Sequence, residues 1–126
     1  MAKILVTAVL ENKTDNKFFS TETLGILESN KIKFIDENKV TVIIELKENN
    51  IVITRRCDDY EIILPFNTNN KTQGTYIVKN LGNLRMEVET TKLFIDNANL
   101  DVEYTMILDG ETKSDFRYKV IYSENK

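Results

Sequence analysis

The sequence predicts an all-β protein, a single antiparallel up-and-down β-barrel of the calycin-like kind with about eight to ten strands. Apolar and polar residues alternate along most of the chain, polar turns separate the alternating segments, and no long segment has a helical period. Each such strand has one apolar face to bury. Closing one sheet on itself buries all these faces and removes both unpaired edges.

The last two strands are predicted from the strongest alternation in the chain. Residues 100–108 place leucine, valine, tyrosine and methionine on one face, and mostly polar or acidic residues on the other. Residues 115–123 repeat the pattern. Asp109-Gly110 lies between them, and this dipeptide is a strong signal for a hairpin turn. We therefore predict that 100–108 pairs with 115–123.

Shorter segments predict the remaining strands. They are Ile4–Leu10, Val40–Leu46, Ile51–Ile53, Ile62–Phe66 and Leu84–Val88. Because proline has no N–H for a ladder, Pro65 should end its strand or lie at an edge. The polar stretch Asn67–Gly74 is predicted to be an exposed loop. Phe18–Leu27 is a strand or, from Thr21, a short helix, and Ile32–Asp36 follows as a strand.

Composition narrows the class of protein. The chain has 126 residues, which suits one domain over 1–126, and its 17 basic and 20 acidic side chains leave a net charge of −3. This balance argues against nucleic-acid binding. Ile4–Leu10 is too short for a signal segment or a spanning helix, and a single cysteine forms no internal disulfide. We expect a cytoplasmic protein that binds no membrane.

Several chemistries are excluded by the residue types present. The chain has no histidine, which removes histidine-activated nucleophiles and zinc sites built from histidine and cysteine. Its four glycines are too scattered to form a phosphate-binding loop. Glu87, Glu89 and Glu103 fall on the polar faces of strands, and Cys57 falls in a predicted turn. We therefore expect no catalytic residue, no metal ligand and no cofactor.

Arg55 is the first candidate ligand-binding residue. It shares a strand face with Ile51 and Ile53, which predicts an inward-pointing guanidinium at the barrel mouth. Such a group can bind a carboxylate or a phosphate through two hydrogen bonds. The structural alternative, which we favour, is an internal ion pair with a glutamate at position 61, 89 or 103, or stacking on a tyrosine. With the opposite strand register, Arg56 takes this place.

Tyr76, Tyr104 and Tyr118 complete the candidate site. Tyrosine rings at alternating positions help to fill a small barrel, and their hydroxyl groups need partners when buried. Functionally, those hydroxyl groups could line a small pocket with Arg55 and orient a ligand. Ordinary core packing is the favoured interpretation, because small barrels are filled by their own side chains.

Five segments resemble a known family. They are 51–55 (Ile-Val-Ile-Thr-Arg), the apolar strand ending at Phe66, Tyr76, 82–90 (Gly-Asn-Leu-Arg-Met-Glu-Val-Glu-Thr) and 104–108 (Tyr-Thr-Met-Ile-Leu). Together they resemble the YwiB-like, or DUF1934, proteins, an uncharacterised bacterial family of calycin-like barrels. The resemblance implies a barrel built like those of lipocalins and fatty-acid-binding proteins. It implies no established activity, so a ligand would be inferred from the fold alone.

Three functional hypotheses follow. The first is non-catalytic binding of a small, partly apolar or anionic ligand inside the barrel, by a monomer or a homodimer. The alternative is a protein-interaction or assembly module with a filled barrel, because Val40–Leu46 is apolar on both faces and directs Ile43 outward. An enzyme ranks third. Whether the barrel interior is open or filled discriminates among them.

Overall fold

The protein is a closed barrel of ten antiparallel strands. The computed structural model describes residues 2–48 and 50–124. The strands are β1 Ala2–Asn12, β2 Lys17–Glu28, β3 Lys31–Ile35, β4 Thr41–Leu46, β5 Ile51–Arg56, β6 Tyr60–Phe66, β7 Thr72–Val78, β8 Gly82–Asp96, β9 Asn99–Leu108 and β10 Thr112–Glu124. The predicted fold class, an all-β antiparallel barrel, is confirmed.

Each strand pairs with its neighbours in the sequence, and the first strand closes the ring on the last. On one side of β1, Leu10 lies opposite Phe19 of β2, and on the other side it lies opposite Tyr118 of β10. Neither the first nor the last strand is therefore left with an open side. In the described part of the chain, no helix is long and apolar enough to cross a membrane.

The hairpin of β9 and β10 forms as predicted. Asp109 and Gly110 have φ values of 53° and 75°, the left-handed conformation that a tight hairpin turn requires. The N–H of Glu111 donates to the carbonyl of Leu108 at 3.1 Å and closes the turn. Tyr104 then lies opposite Phe116 in the paired strands.

Two sequence predictions for β6 and β7 need correction. Pro65 neither ends its strand nor lies on an edge strand, since β6 continues to Phe66 within the closed barrel. It is accommodated because β6 stops pairing with β7 beyond Ile63, so no ladder partner awaits its missing N–H. The loop predicted over 67–74 covers only 67–71, because Thr72 already pairs with Val88 of β8.

The segment left open between strand and helix is the strand β2, which pairs with β1 along its length. It turns Gly25 toward the interior, where a Cβ would lie 2.8 Å from the Lys33 carbonyl oxygen and 3.1 Å from a Val6 methyl carbon. Gly74 of β7 is similarly crowded, with the Ile63 carbonyl oxygen 3.0 Å from such a Cβ. Only glycine lets the neighbouring strands approach this closely.

The inward side chains form one contiguous hydrophobic cluster that fills the middle of the barrel. Its buried members are Ile4, Val6, Ala8, Ile32, Phe34, Val40, Val42, Ile44, Ile51, Ile53, Leu64, Phe66, Met86, Val88, Leu100, Val102, Tyr104, Tyr118 and Val120. Burial of each large apolar side chain stabilises the fold by roughly 1.5–3 kcal/mol. Phe66 packs edge-on against Tyr104, with 4.7 Å between ring centroids. These side chains occupy the space that a deep ligand would need.

An ion pair lies on the outer face of the β9–β10 hairpin. Arg117 donates to both carboxylate oxygens of Asp101, from Nε at 3.1 Å and from Nη2 at 2.8 Å. The Asp101 side chain is only 11% exposed, so this paired geometry satisfies a carboxylate that has lost most of its water. The hydrogen bonds from Arg117 hold the pKa of the Asp101 carboxyl below its ordinary value, against the opposing effect of burial.

We expect Asp101→Asn to lower the free energy of unfolding at neutral pH by about 1–2 kcal/mol, because a charge-assisted pair is lost. The pKa of Asp101 is lower in the folded than in the unfolded chain, so its contribution is present at neutral pH. It decreases as the pH falls below the ordinary value of 3.8 and is lost below the folded-state pKa. Urea unfolding over an acidic pH series should therefore show the free energies of unfolding of wild type and Asp101→Asn converging as the pH falls.

The matched control is Asp58→Asn, which changes an exposed turn carboxylate and should leave stability nearly unchanged at neutral pH. A stability difference between wild type and Asp101→Asn that stays constant down to the most acidic condition would contradict this assignment.

Candidate functional site

Arg55 lies at one mouth of the barrel, on the inward face of β5. The inward residues before it, Ile51 and Ile53, are 0% and 2% exposed, whereas the Arg55 side chain is 21% exposed. The inward face of β5 thus passes from the packed core to the partly solvated rim within two residues. The inward orientation predicted for Arg55 from alternation is the one observed.

Asp36 holds the Arg55 guanidinium in place. The Nη2 of Arg55 donates to Oδ2 of Asp36 at 3.1 Å, and the Asp36 side chain is 8% exposed. The other carboxylate oxygen, Oδ1, accepts from the backbone N–H groups of Asn38 and Val40 at 2.9 and 3.0 Å. One carboxylate therefore closes the β3–β4 turn and orients the arginine. The glutamates expected as partners are absent from this ion pair.

A cavity of about 470 Å³ opens beside this ion pair. We call it the mouth cavity. It lies between the start of β2, the turn after β3, the ends of β1 and β5, and the middle of β10. Residues lining it include Leu10, Phe19, Phe34, Asp36, Arg55 and Tyr118. The lining thus combines apolar side chains with an arginine, a carboxylate and a phenol.

Tyr118 joins the mouth cavity to the core. Its side chain is buried, and it lines the cavity together with Arg55. Burial raises the pKa of the Tyr118 phenol to about 12, although the nearby Arg55 charge works in the opposite direction. The hydroxyl therefore keeps its proton at neutral pH, and that proton can be donated to a ligand or to water.

The other two candidate tyrosines lie elsewhere. Tyr104 is buried beneath the mouth between Phe66 and Phe116, whose ring centroid is 5.3 Å away in a stacked arrangement. Burial raises the pKa of its phenol. Tyr76 of β7 packs edge-on against Tyr60 of β6, with 6.1 Å between the ring centroids. The structure thus groups Arg55 with Tyr118, puts Tyr104 in the core and separates Tyr76 from the mouth cavity.

Sequence reasoning missed Asp36 and Phe19 as parts of the mouth. Asp36 ends the predicted strand Ile32–Asp36 and begins the polar run Asp-Glu-Asn-Lys, a pattern typical of a turn in which aspartate caps backbone N–H groups. That signal was available from the sequence. Phe19 falls in the segment left open between strand and helix, so its face was not defined.

The remaining polar candidates lie outside the mouth. Glu103 forms an ion pair with Lys13 on the outer surface, and Cys57 lies in the β5–β6 turn, where its N–H donates to the Tyr60 carbonyl at 3.0 Å. Among residues 2–48 and 50–124, no group of three or more acidic or cysteine side chains is arranged to hold a metal ion. The mouth cavity offers hydrogen bonding and charge, with Asp36 already bonded to Arg55 and to two backbone N–H groups.

Comparison with known proteins identifies the family. The family model described as "Domain of unknown function (DUF1934)" matches residues 6–120. The chain belongs to the DUF1934 family. The solved structure of the ywiB protein from Bacillus subtilis is similar, with a TM-score of 0.66 and 16% sequence identity over 98% of this chain and 91% of that chain. At that identity the similarity establishes the fold alone. No curated protein matches the sequence.

In this DUF1934 protein, we expect alkaline pH to destabilise the fold through its buried phenols. Above pH 10 the unfolded chain loses a proton from Tyr118, whereas the folded chain retains it up to a pKa of about 12. The free energy of unfolding should therefore decrease as the pH rises through this interval. Tyr118→Phe should reduce that slope, as measured by urea unfolding at a series of alkaline pH values, and an unchanged slope would contradict the assignment.

Proposed function

We propose that this protein binds, without catalysis, a small and partly apolar molecule that carries an anionic group, and that the binding site is the mouth cavity. The observation that carries the proposal is the position of Arg55 at the rim of a cavity that apolar side chains also line. The site differs from the one expected deep inside the barrel, because packed side chains occupy the middle.

The size and lining of the mouth cavity suit a small molecule. Its volume of about 470 Å³ falls within the range of about 300–1,000 Å³ typical of ligand pockets. Phe19 supplies aromatic surface and is 53% exposed, so a ligand that covered it would remove apolar surface from water. An acyl chain or an aromatic ring suits these apolar side chains.

Arg55 supplies the argument for an anionic group. A guanidinium has five N–H donors. In the described part of the chain, its side-chain hydrogen bond goes to Asp36, which leaves donors for a further acceptor. A carboxylate or a sulfonate can share the arginine without displacing Asp36. The Tyr118 hydroxyl offers its own proton to the same ligand.

A filled barrel interior also supports the second candidate role, that of a protein-interaction or assembly module. The sequence basis for this role was the apolar outer face of Val40–Leu46. Ile43 faces outward on β4 and is half-buried, next to Lys33 of β3. The outer surface of the barrel and the mouth cavity are separate, so the two roles are compatible.

Fluorescence of anilinonaphthalene sulfonate, an aromatic anion, tests the ligand proposal. We expect saturable binding to the wild type that decanoate displaces. Arg55→Met should weaken binding by about tenfold or more, because a charge-assisted hydrogen bond contributes about 1.5–3 kcal/mol. Phe19→Ala should weaken it as well, through the loss of apolar contact.

The matched control is Arg56→Met. Arg56 is the next residue of β5, but it points outward and pairs with Glu61 at 3.8 Å. The Arg56→Met variant should bind the probe as the wild type does. Equal binding by the Arg55 and Arg56 variants, with both folded by circular dichroism, would rule out the mouth cavity as the site. A wild type that binds neither probe nor decanoate would rule out the proposed function.

A further inference from the structure

The outer surface of β1, β2, β3 and β10 carries a group of exposed apolar side chains, which we call the outer patch. Its members, with their exposed fractions, are Leu5 at 38%, Leu24 at 59%, Ile26 at 38%, Ile35 at 56% and Ile121 at 51%. Single exposed apolar residues are ordinary on protein surfaces, whereas a contiguous group marks an interaction site.

Strand register makes the outer patch contiguous. Leu5 lies directly opposite Leu24 in the pairing of β1 with β2. Gly25 lies opposite Phe34 in the pairing of β2 with β3, so the preceding Leu24 and the following Ile35 are neighbours on the outer face. These three residues form a row across three strands. Ile26 adjoins the row on one side and Ile121 on the other.

Charged side chains flank this apolar row, with opposite signs on its two sides. On one side, Ile26 stands between Lys3 of β1 and Lys33 of β3, each directly opposite it in the pairing. On the other side, two residues before Leu24 on the same face of β2, stands Glu22. All three charged side chains are exposed. Along β2, the two lysines, the apolar row and the glutamate therefore follow one another in that order.

We propose that the outer patch is the interface of a symmetric homodimer, with a two-fold axis running along the row from Leu5 through Leu24 to Ile35. Such an axis places β2 of one protomer antiparallel across β2 of its partner. The apolar rows then cover each other. Glu22 of each protomer falls over the partner's Ile26, between the partner's Lys3 and the partner's Lys33.

Charge complementarity favours a second copy of this chain as the occupant. A two-fold interface uses the same surface twice, so it requires a surface that is complementary to itself. A strip with lysines on one side of its axis and a glutamate on the other meets that requirement. A nucleic acid would require a uniformly basic surface, which the outer patch lacks.

The area of the outer patch sets the expected affinity of the dimer. Stable interfaces bury about 800 Å² on each partner, whereas four strands spaced about 4.8 Å apart present a narrow strip. We therefore expect a reversible dimer whose dissociation constant is on the order of micromolar. This inference gives the assembly role a definite surface and does not depend on ligand binding at the mouth cavity.

Sedimentation velocity of the full chain across a dilution series tests the dimer. The wild type should shift from dimer to monomer on dilution. Leu24→Lys puts a charge at the centre of the apolar row and should remain monomeric throughout. Its matched control is Phe94→Lys, at a site 48% exposed on the outer face of β8, which should dimerise as the wild type does. A wild type that is monomeric at every concentration would overturn the proposal, as would a dimer that survives Leu24→Lys.

A charge exchange tests the two-fold arrangement itself. Glu22→Lys makes all three of these flanking charges basic, and the double variant Lys3→Glu/Lys33→Glu makes all three acidic. Each variant alone should be monomeric through repulsion at the interface, and a mixture of the two should form a heterodimer that high salt weakens. A mixture that stays monomeric would overturn the proposed axis. Circular dichroism of each variant confirms that the fold is retained, since all the substituted side chains are exposed.

Discussion

Closure of the sheet between β1 and β10 is the constraint on which the rest of the structure depends. Once the ring is closed, strand alternation assigns every side chain either to a confined interior or to the outer surface. The interior is so limited that Gly25 and Gly74 leave no room for a Cβ where neighbouring strands approach. With its middle filled, the barrel can offer binding sites only at its ends or on its outside.

Arg55 shows how the same constraint positions charge. Two residues deeper on its face, Ile53 is 2% exposed, and a guanidinium there would lose its water without compensation. At the mouth, Arg55 keeps partial access to solvent and gains Asp36 as a partner. Because Asp36 also closes the β3–β4 turn, the arginine is oriented by the backbone of a neighbouring hairpin. Because Arg55 is already oriented, its side chain would lose less conformational entropy on binding a ligand.

The outer surface follows from the same alternation. β2 places few side chains in the core and directs Leu24 and Ile26 outward. Contact of these two apolar side chains with water is unfavourable, and a second copy of the chain would cover them. The mouth cavity and the outer patch both involve β2, but they occupy different parts of that strand, since Phe19 lies near its start and Ile26 near its end.

Strand alternation and turn residues predicted those features of the structure that depend on residues close together in the chain. Alternation gave the inward direction of Arg55, and Asp109-Gly110 identified a hairpin through its own backbone preference. The pairing of Asp36 with Arg55 could not be predicted in this way, because it depends on the turn after β3 and on the register of β4 between them. β2 remained ambiguous because apolar residues fall on both of its faces.

The central claim is that the mouth, and not the interior, receives a ligand. Chemical-shift mapping by NMR during a titration with decanoate tests it most directly. The account predicts shifts concentrated at Leu10, Phe19, Asp36, Arg55 and Tyr118, with little change at Val88 and Val102 in the packed middle. Shifts centred on Val88 and Val102 would mean that the core opens to admit the ligand, and the account would be wrong.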